Sequence, residues 1–315
     1  MRKIRRRRNK QRKIIVISLT CFLFIMVGGY AAFQTNLNIT AKGNIAQKSR
    51  VIQSWTNTDN TDFHSDYYKE NIVSATFLDN NDIPSNAVES WNVSEDKEHG
   101  GVMAWVVQNS EDNTKYDLYI GVDGGVIANE DSGWLFFAFL NLANIEFNNN
   151  FDTSNVTNMD GMFGGGNSLV TLDISSFDTS NVVSMVGMFT YWNTVTQDWK
   201  GSILEGIIGL NSFNTKNVIS MQDMFSGISI TALDLSNFDT SNVTNMYHMF
   251  NNSKNLEILN ICGFNTFKVT DMREMFLNTP GLQTIKVGPN WTTDNANTTY
   301  MFTNSGVSGV TTGQC

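Results

Sequence analysis

Paired methionines are the most regular set of chemically capable side chains in this sequence. Met159-x-x-Met162 is repeated at Met185 and Met188, Met221 and Met224, Met246 and Met249, and Met272 and Met275. Two thioethers at that spacing suit a soft cation such as Cu(I). The wider pattern argues for a different use. With Met301 in a sixth, degenerate copy, eleven of the 14 methionines occupy these repeat places, and the five pairs run directly into Phe163, Phe189, Phe225, Phe250 and Phe276. A ligand pair buried in every copy would leave a metal no route in. Methionine is apt at filling irregular apolar gaps, so these residues are expected to be core, and no metal or other cofactor is expected.

The remaining chemistry is sparse. His64, His99 and His248 stand alone, outside any H-E-x-x-H or spaced Cys/His set, and are expected at the surface. There is no G-x-S-x-G elbow and no cysteine placed with a histidine for nucleophilic attack. Gly164-Gly165-Gly166 lacks the Lys-Ser/Thr of a phosphate loop and reads as a turn, as does Asp79-Asn80-Asn81-Asp82, which lacks Ca²⁺-loop spacing. No pair of carboxylates is singled out for glycoside cleavage. We expect no catalytic residues.

The elements that position the methionines are repeats. Met-Phe pairs fall at 162, 188, 224, 249, 275 and 301, at intervals of 26, 36, 25, 26 and 26 residues. A period near 25 is the mark of a stacked array. Within a unit, Leu233 and Leu235 alternate as on one face of a strand. Val243, Met246, Met249 and Phe250 follow at steps of three, three and one, which predicts one face of a short helix. Thr240 or Ser241 is placed to cap it. Such a unit cannot bury its own apolar face, so about six of them must stack, with a parallel sheet along one side. Thr153, Thr179, Thr215, Thr240 and Thr266 share one repeat position and are expected to bond to rung backbone, as are Asn155, Asn181, Asn217 and Asn242 at another.

The flanks differ in kind. Residues 1–13 hold nine of the 21 Lys and Arg and no acid, which leaves the rest with a net charge of −18. A body so acidic repels nucleic acid, and none is expected as a partner. Residues 14–33 are twenty uncharged residues, about 30 Å as a helix, and are read as a transmembrane signal anchor with the body outside. Cleavage after Ala31 would instead release a secreted body. Residues 34–70 read as a polar juxtamembrane linker and 71–147 as an N-terminal β cap. Candidate cap strands are Ile72–Phe77, Val102–Val107 and Tyr116–Val122, the last followed by a hairpin signal at Asp123-Gly124. The repeats then fill 148–302, with a tail at 303–315. Cys21 lies in the apolar segment, while Cys262 and Cys315 are free to pair or not. The longest interval contains an insertion within residues 190–207 that carries Tyr191, Trp192 and Trp199.

The phrases FDTSNVTNMDGMF (151–163), LDISSFDTSNVVSMVGMF (172–189) and LDLSNFDTSNVTNMYHMF (233–250) resemble those of the BspA-like leucine-rich-repeat surface proteins of bacteria. That resemblance covers about residues 140–302 and implies a cell-surface location and, in some members, adhesion, with no catalysis. The chain departs from it in having a short array and no LPxTG-type sorting signal. The expectation is therefore an α/β solenoid of strand–short-helix rungs with a β-rich cap and a transmembrane helix. It would act as a binding or adhesion surface for an extracellular protein or cell-surface ligand. A passive envelope spacer and a carbohydrate-active envelope enzyme are the alternatives. Binding is expected at positions that vary between rungs, such as Gln222-Asp223, Tyr247-His248 and Arg273-Glu274, and at exposed aromatic residues. Tyr191, Trp192, Trp199, Tyr247 and His248 are the candidates.

Overall fold

The computed structural model describes residues 49–190, 203–312 and 315. Among them no helix is long and apolar enough to cross a membrane. The expected single-pass localisation and signal anchor therefore gain no support, and the segment they rested on, 14–33, lies outside the described residues. Tyr191, Trp192 and Trp199 lie outside them as well.

The N-terminal part is β-rich. Strands β1 (Ile72–Leu78), β2 (Ala87–Asn92), β3 (Met103–Gln108) and β4 (Tyr116–Gly121) form one sheet with β6 (Asn144–Glu146), in the order β2-β3-β4-β1-β6. The β2-β3-β4 pairs are antiparallel, whereas β1 runs parallel to both β4 and β6. Asp123-Gly124 forms a turn but not a hairpin. β5 (Val126–Ile127) leaves that turn to pair in parallel with β7 (Phe151–Asp152) rather than folding back on β4. The expected linker is folded from residue 49 onward: Trp55, Phe63 and His64 are buried, and α1 (Asp66–Lys69) is a single four-residue helix.

The rungs correct the expected architecture. Their strands are β8 (Thr171–Asp173) with β9 (Gly206–Ile208), and β10 (Ala232–Asp234), β11 (Ile258–Ile261), β12 (Thr284–Val287) and β13 (Thr311–Thr312) in order, all parallel. No α-helix follows any of them among the described residues, and the 3-10 turn Leu210–Ser212 after β9 lies ahead of the methionine run. The Met-x-x-Met-Phe run is instead a chain of tight turns bonded to the next rung. In the unit at 245–253, Met249 N–H bonds to Met246 O at 3.2 Å and Ser253 N–H to Phe250 O at 3.3 Å. The third residues of those turns, His248 and Asn252, have φ of 58° and 57°, the left-handed value such turns require. The N–H groups of Met246, His248, Phe250 and Asn252 then bond to the carbonyls of Asp271, Arg273, Met275 and Leu277 at 2.9–3.2 Å. A helix would spend those donors on its own turns; the stack uses them between rungs. The steps of three and three that suggest a helix arise because each turn also returns every third side chain to the inside.

A single parallel bridge per rung marks the stack: Asp131, Asn158, Ser184, Ser220, Asn245, Asp271 and Asn297 each pair with the next. The first of these lies inside the expected cap. Ser132-Gly133-Trp134-Leu135-Phe136 takes the turn conformation without the motif, with Trp134 at φ 64°. Inside, the repeat methionines from Met159 to Met275 and the phenylalanines after them are buried. Phe136, Phe163, Phe189, Phe225, Phe250, Phe276 and Phe302 stack in one column, centroids 5.3–6.1 Å apart and planes within 20°.

The threonine column ties the rungs together at another corner. Thr240 Oγ1 donates to Asn265 O at 2.9 Å and accepts from Asn265 N–H at 2.8 Å, and Thr153, Thr179 and Thr266 make the same pair of bonds. Thr240 is thus not a helix cap. Asn181, Asn217 and Asn242 donate to backbone carbonyls of the preceding rung. Cys262, just past β11, is disulfide-bonded to Cys315, 53 residues on. Replacing Thr240 by Val keeps its shape and strands the part-buried N–H and C=O of Asn265. Urea unfolding should show a loss of about 1–3 kcal/mol, and an unchanged midpoint would refute this role.

Candidate functional site

The left-handed slot recurs in every rung. Trp134, Gly161, Gly187, Asp223, His248, Glu274 and Tyr300 fill it, with φ between 55° and 64°. Glycine adopts that conformation without strain. At Gly161 a Cβ would in addition overlap the Trp134 ring. Because the slot has one backbone geometry, side chains placed in it by successive rungs lie one above the next.

In three consecutive rungs those side chains form an acid–imidazole–acid column. His248 Nε2 lies 2.7 Å from Glu274 Oε2, and Nδ1 lies 3.3 Å from Asp223 Oδ1. Asp223 Oδ1 is buried and has no well-aligned hydrogen-bond donor, so its link to His248 is one of charge. Its other oxygen accepts from Gln222 Nε2 at 3.1 Å, and Gln222 Oε1 in turn accepts from Asn245 Nδ2 at 3.0 Å. Burial is the largest influence on His248 and would lower its pKa. The close approach of the Asp223 and Glu274 carboxylates outweighs it, and the imidazole is held above its ordinary value.

The column carries an outer layer. Tyr247 stacks on the His248 ring at 3.7 Å and 22°, and the Arg273 guanidinium carbon sits 4.9 Å from the centre of the Tyr247 ring. Arg273 is held from below by Asp271, through Nη2–Oδ2 at 2.6 Å and Nε–Oδ1 at 3.0 Å. That contact also holds the Asp271 carboxyl below its usual range. Each layer starts from an Asx turn: Asn245 Oδ1 accepts from Tyr247 N–H at 2.9 Å and Asp271 Oδ1 from Arg273 N–H at 3.1 Å. The result is a cation–aromatic–imidazole stack whose members are fixed by backbone and charge. Among the described residues no group of His, Cys, Asp and Glu is placed to hold a metal ion.

Tyr247 and His248 are therefore brought together, but not as free projections. The His248 side chain retains only 18% of its exposure. Asp223 and Glu274 were legible as variable slots; their joint grip on His248 was not. The signal for it was the spacing, since 223, 248 and 274 differ by one repeat each. Of the other histidines, His99 is exposed as expected. His64 is not: it is fully buried, with Nε2 2.9 Å from Leu135 O and Nδ1 3.0 Å from Asp62 Oδ1.

A family model described as a Mycoplasma protein of unknown function, DUF285, matches residues 135–202 and 202–309, together more than half of the chain. The chain belongs to that family. No curated protein and no solved structure matches it. The matched span begins at Leu135, within the rung whose turn lacks the Met-x-x-Met motif, and ends beyond Phe302, so it covers the acid–imidazole column and the rungs on both sides of it.

A raised histidine pKa has a definite sign. The stability it contributes is fully present below the unfolded value of about 6.5 and is lost as pH rises through the higher folded value. His248→Asn tolerates the left-handed slot and removes the charge. The melting temperature of wild type should exceed that of the variant most at mildly acidic pH, the gap closing under alkaline conditions. A gap that is constant with pH would show that the imidazole does not titrate against Asp223 and Glu274.

Proposed function

We propose that the chain is a repeat-type binding protein, and that the layer formed by Tyr247, Arg273 and the His248 column is a recognition surface for a protein or cell-surface ligand. The observation that carries this is the Arg273–Tyr247–His248 stack. Aromatic and arginine side chains supply most of the energy in protein interfaces when they are rigid at the moment of contact. Here Arg273 is fixed by Asp271, and Tyr247 by His248 beneath it. The same positions two and three rungs earlier hold Val186-Gly187 and Asp160-Gly161, which offer little contact area.

The finer resemblance to BspA-like surface proteins supports the same reading, since it implies adhesion in some members of that group. The Cys262–Cys315 disulfide suits an oxidising compartment. The test uses the purified chain, immobilised and exposed to a panel of extracellular-matrix proteins and solubilised cell-surface material. One or more components should be retained, and a Tyr247→Ala/Arg273→Ala double variant should retain roughly tenfold less. Both changes lie outside the core, so unaltered circular dichroism should accompany the loss. No enrichment over a blank matrix, or equal retention by the variant, would overturn the proposal.

A further inference from the structure

The inter-rung hydrogen bonds of the turn column all point the same way. In each rung alternate N–H groups reach forward: Ser132, Trp134, Phe136 and Ala138 to the second rung, Met221, Asp223, Phe225 and Gly227 to the fifth, and Met272, Glu274, Phe276 and Asn278 to the last. The intervening N–H groups are held by Asx side chains, as at Asp160, Tyr247, Arg273 and Thr299. The carbonyls that could answer forward are tied up in the turns. One end of the stack therefore presents acceptors and the other donors, as in the two ends of a helix.

The two ends are treated differently. At the acceptor end, Leu135 O receives His64 Nε2. At the donor end, the N–H groups of Thr298, Tyr300, Phe302 and Asn304 stand where the rung before makes its forward bonds from Met272, Glu274, Phe276 and Asn278, and they have no partner among the described residues. The chain beyond them turns aside. Gly306 N–H bonds to Thr279 O, and β13 pairs with β12 on the strand side of the stack. Over the open donors lies a recess of about 350 Å³ lined by Thr293, Thr298, Tyr300, Met301, Phe302 and Thr303. Phe302 closes the phenylalanine column on Phe276, and among the described residues no ring lies against its other face; Tyr300 is 65% exposed.

We propose that this end binds an extended segment of a partner polypeptide, which lies across the recess as an additional rung. It supplies main-chain carbonyls at alternate residues to Thr298, Tyr300, Phe302 and Asn304 and an aromatic side chain to the free face of Phe302. The native stack shows what satisfies such donors: in each earlier rung it is a row of alternate carbonyls with a phenylalanine. A second copy is a poor occupant. Meeting end to end by the same face would set donors against donors, and Leu135 O at the opposite end already has its donor. Main-chain pairing of this kind gives affinity, and the side-chain recess gives selectivity.

The test is amide NMR on the full chain, with a synthetic peptide of residues 268–279 as probe. That segment contains the carbonyls of Asp271, Arg273, Met275 and Leu277, which accept from the rung beneath in the native stack. In the free protein, the amides of Tyr300 and Phe302 should exchange with solvent far faster than those of His248 and Phe250. The peptide, added to about 1 mM, should shift and protect the four donor amides, and a peptide of scrambled order should not. Tyr300→Ala and Phe302→Leu, each checked for an unaltered fold, should weaken the interaction roughly fivefold, while Tyr247→Ala should leave it unchanged. That last control separates this end from the lateral surface. Slow exchange at Tyr300 and Phe302 in the free protein, shifts spread elsewhere, or protection that arises from self-association in sedimentation would each overturn the proposal.

Discussion

The structure depends on one conformational requirement, a left-handed residue at the third place of each Met-x-x-Met turn. That single φ value turns the chain so that alternate N–H groups face the next rung and every third side chain faces the core. Non-glycine residues in this region cost about 1–2 kcal/mol each, and Asp223, His248, Glu274 and Tyr300 all accept it. The inter-rung bonds formed on either side of the slot offset that strain, and a second slot four residues on repeats the arrangement at Gly227, Asn252, Asn278 and Asn304. Asn278 and Asn304 go further and bond side chain to side chain with the rung before. The methionines follow from the same geometry. Turns leave an irregular interior, and an unbranched thioether chain fits it better than a branched residue.

Much of this was legible in the sequence. The Met-Phe intervals locate the repeats, the Leu-x-Leu pairs locate strands such as β10 and β11, and the threonine column reads as bonding to the backbone of its own or the next rung. The spacing suggests a helix because turn and helix share it: Val243, Met246 and Met249 come inward every third residue in both. Only the left-handed slot distinguishes them, and it is diagnostic when filled by Gly161 or Gly187 but silent when filled by Glu274 or Tyr300. The folded stretch from 49 to 70 reads as a linker because its core residues, Trp55, Phe63 and His64, are irregularly spaced in polar sequence. Their partners, such as Leu135 and Phe139, lie some seventy residues away, and only packing reveals them. The first rung is hidden in the sequence for a related reason, since Ser132 and Leu135 stand where the others have methionine.

Directionality is what the repeat adds beyond a core. Because the forward bonds use donors and the backward bonds use acceptors, the peptide dipoles of successive rungs align instead of cancelling as they do in ordinary sheets. A buried histidine at the acceptor end is then a reasonable cap. Its Nε2 must carry the proton to serve Leu135 O, while burial, the strongest influence on it, keeps its pKa below the ordinary value and the Asp62 contact opposes that. The imidazole is enclosed by Trp55, Phe63 and Phe139, which exclude water from the bond.

The same slot that builds the stack also determines how it can display chemistry. A fixed φ aims each slot side chain along the axis toward its neighbours, so a residue there is read together with those one rung above and below. This explains why His248 is not a free surface histidine: any residue at 248 must meet 223 and 274 first. With glycine in the slot the column is blank, as at Gly161 and Gly187; with Asp, His and Glu in succession it becomes a charged spine on which Tyr247 and Arg273 can be stacked outward. Diversity in such an array is therefore cooperative. Changing one slot alters the footing of three rungs, and a recognition surface can be built only where consecutive slots are filled by side chains that satisfy one another, as they do between residues 222 and 274.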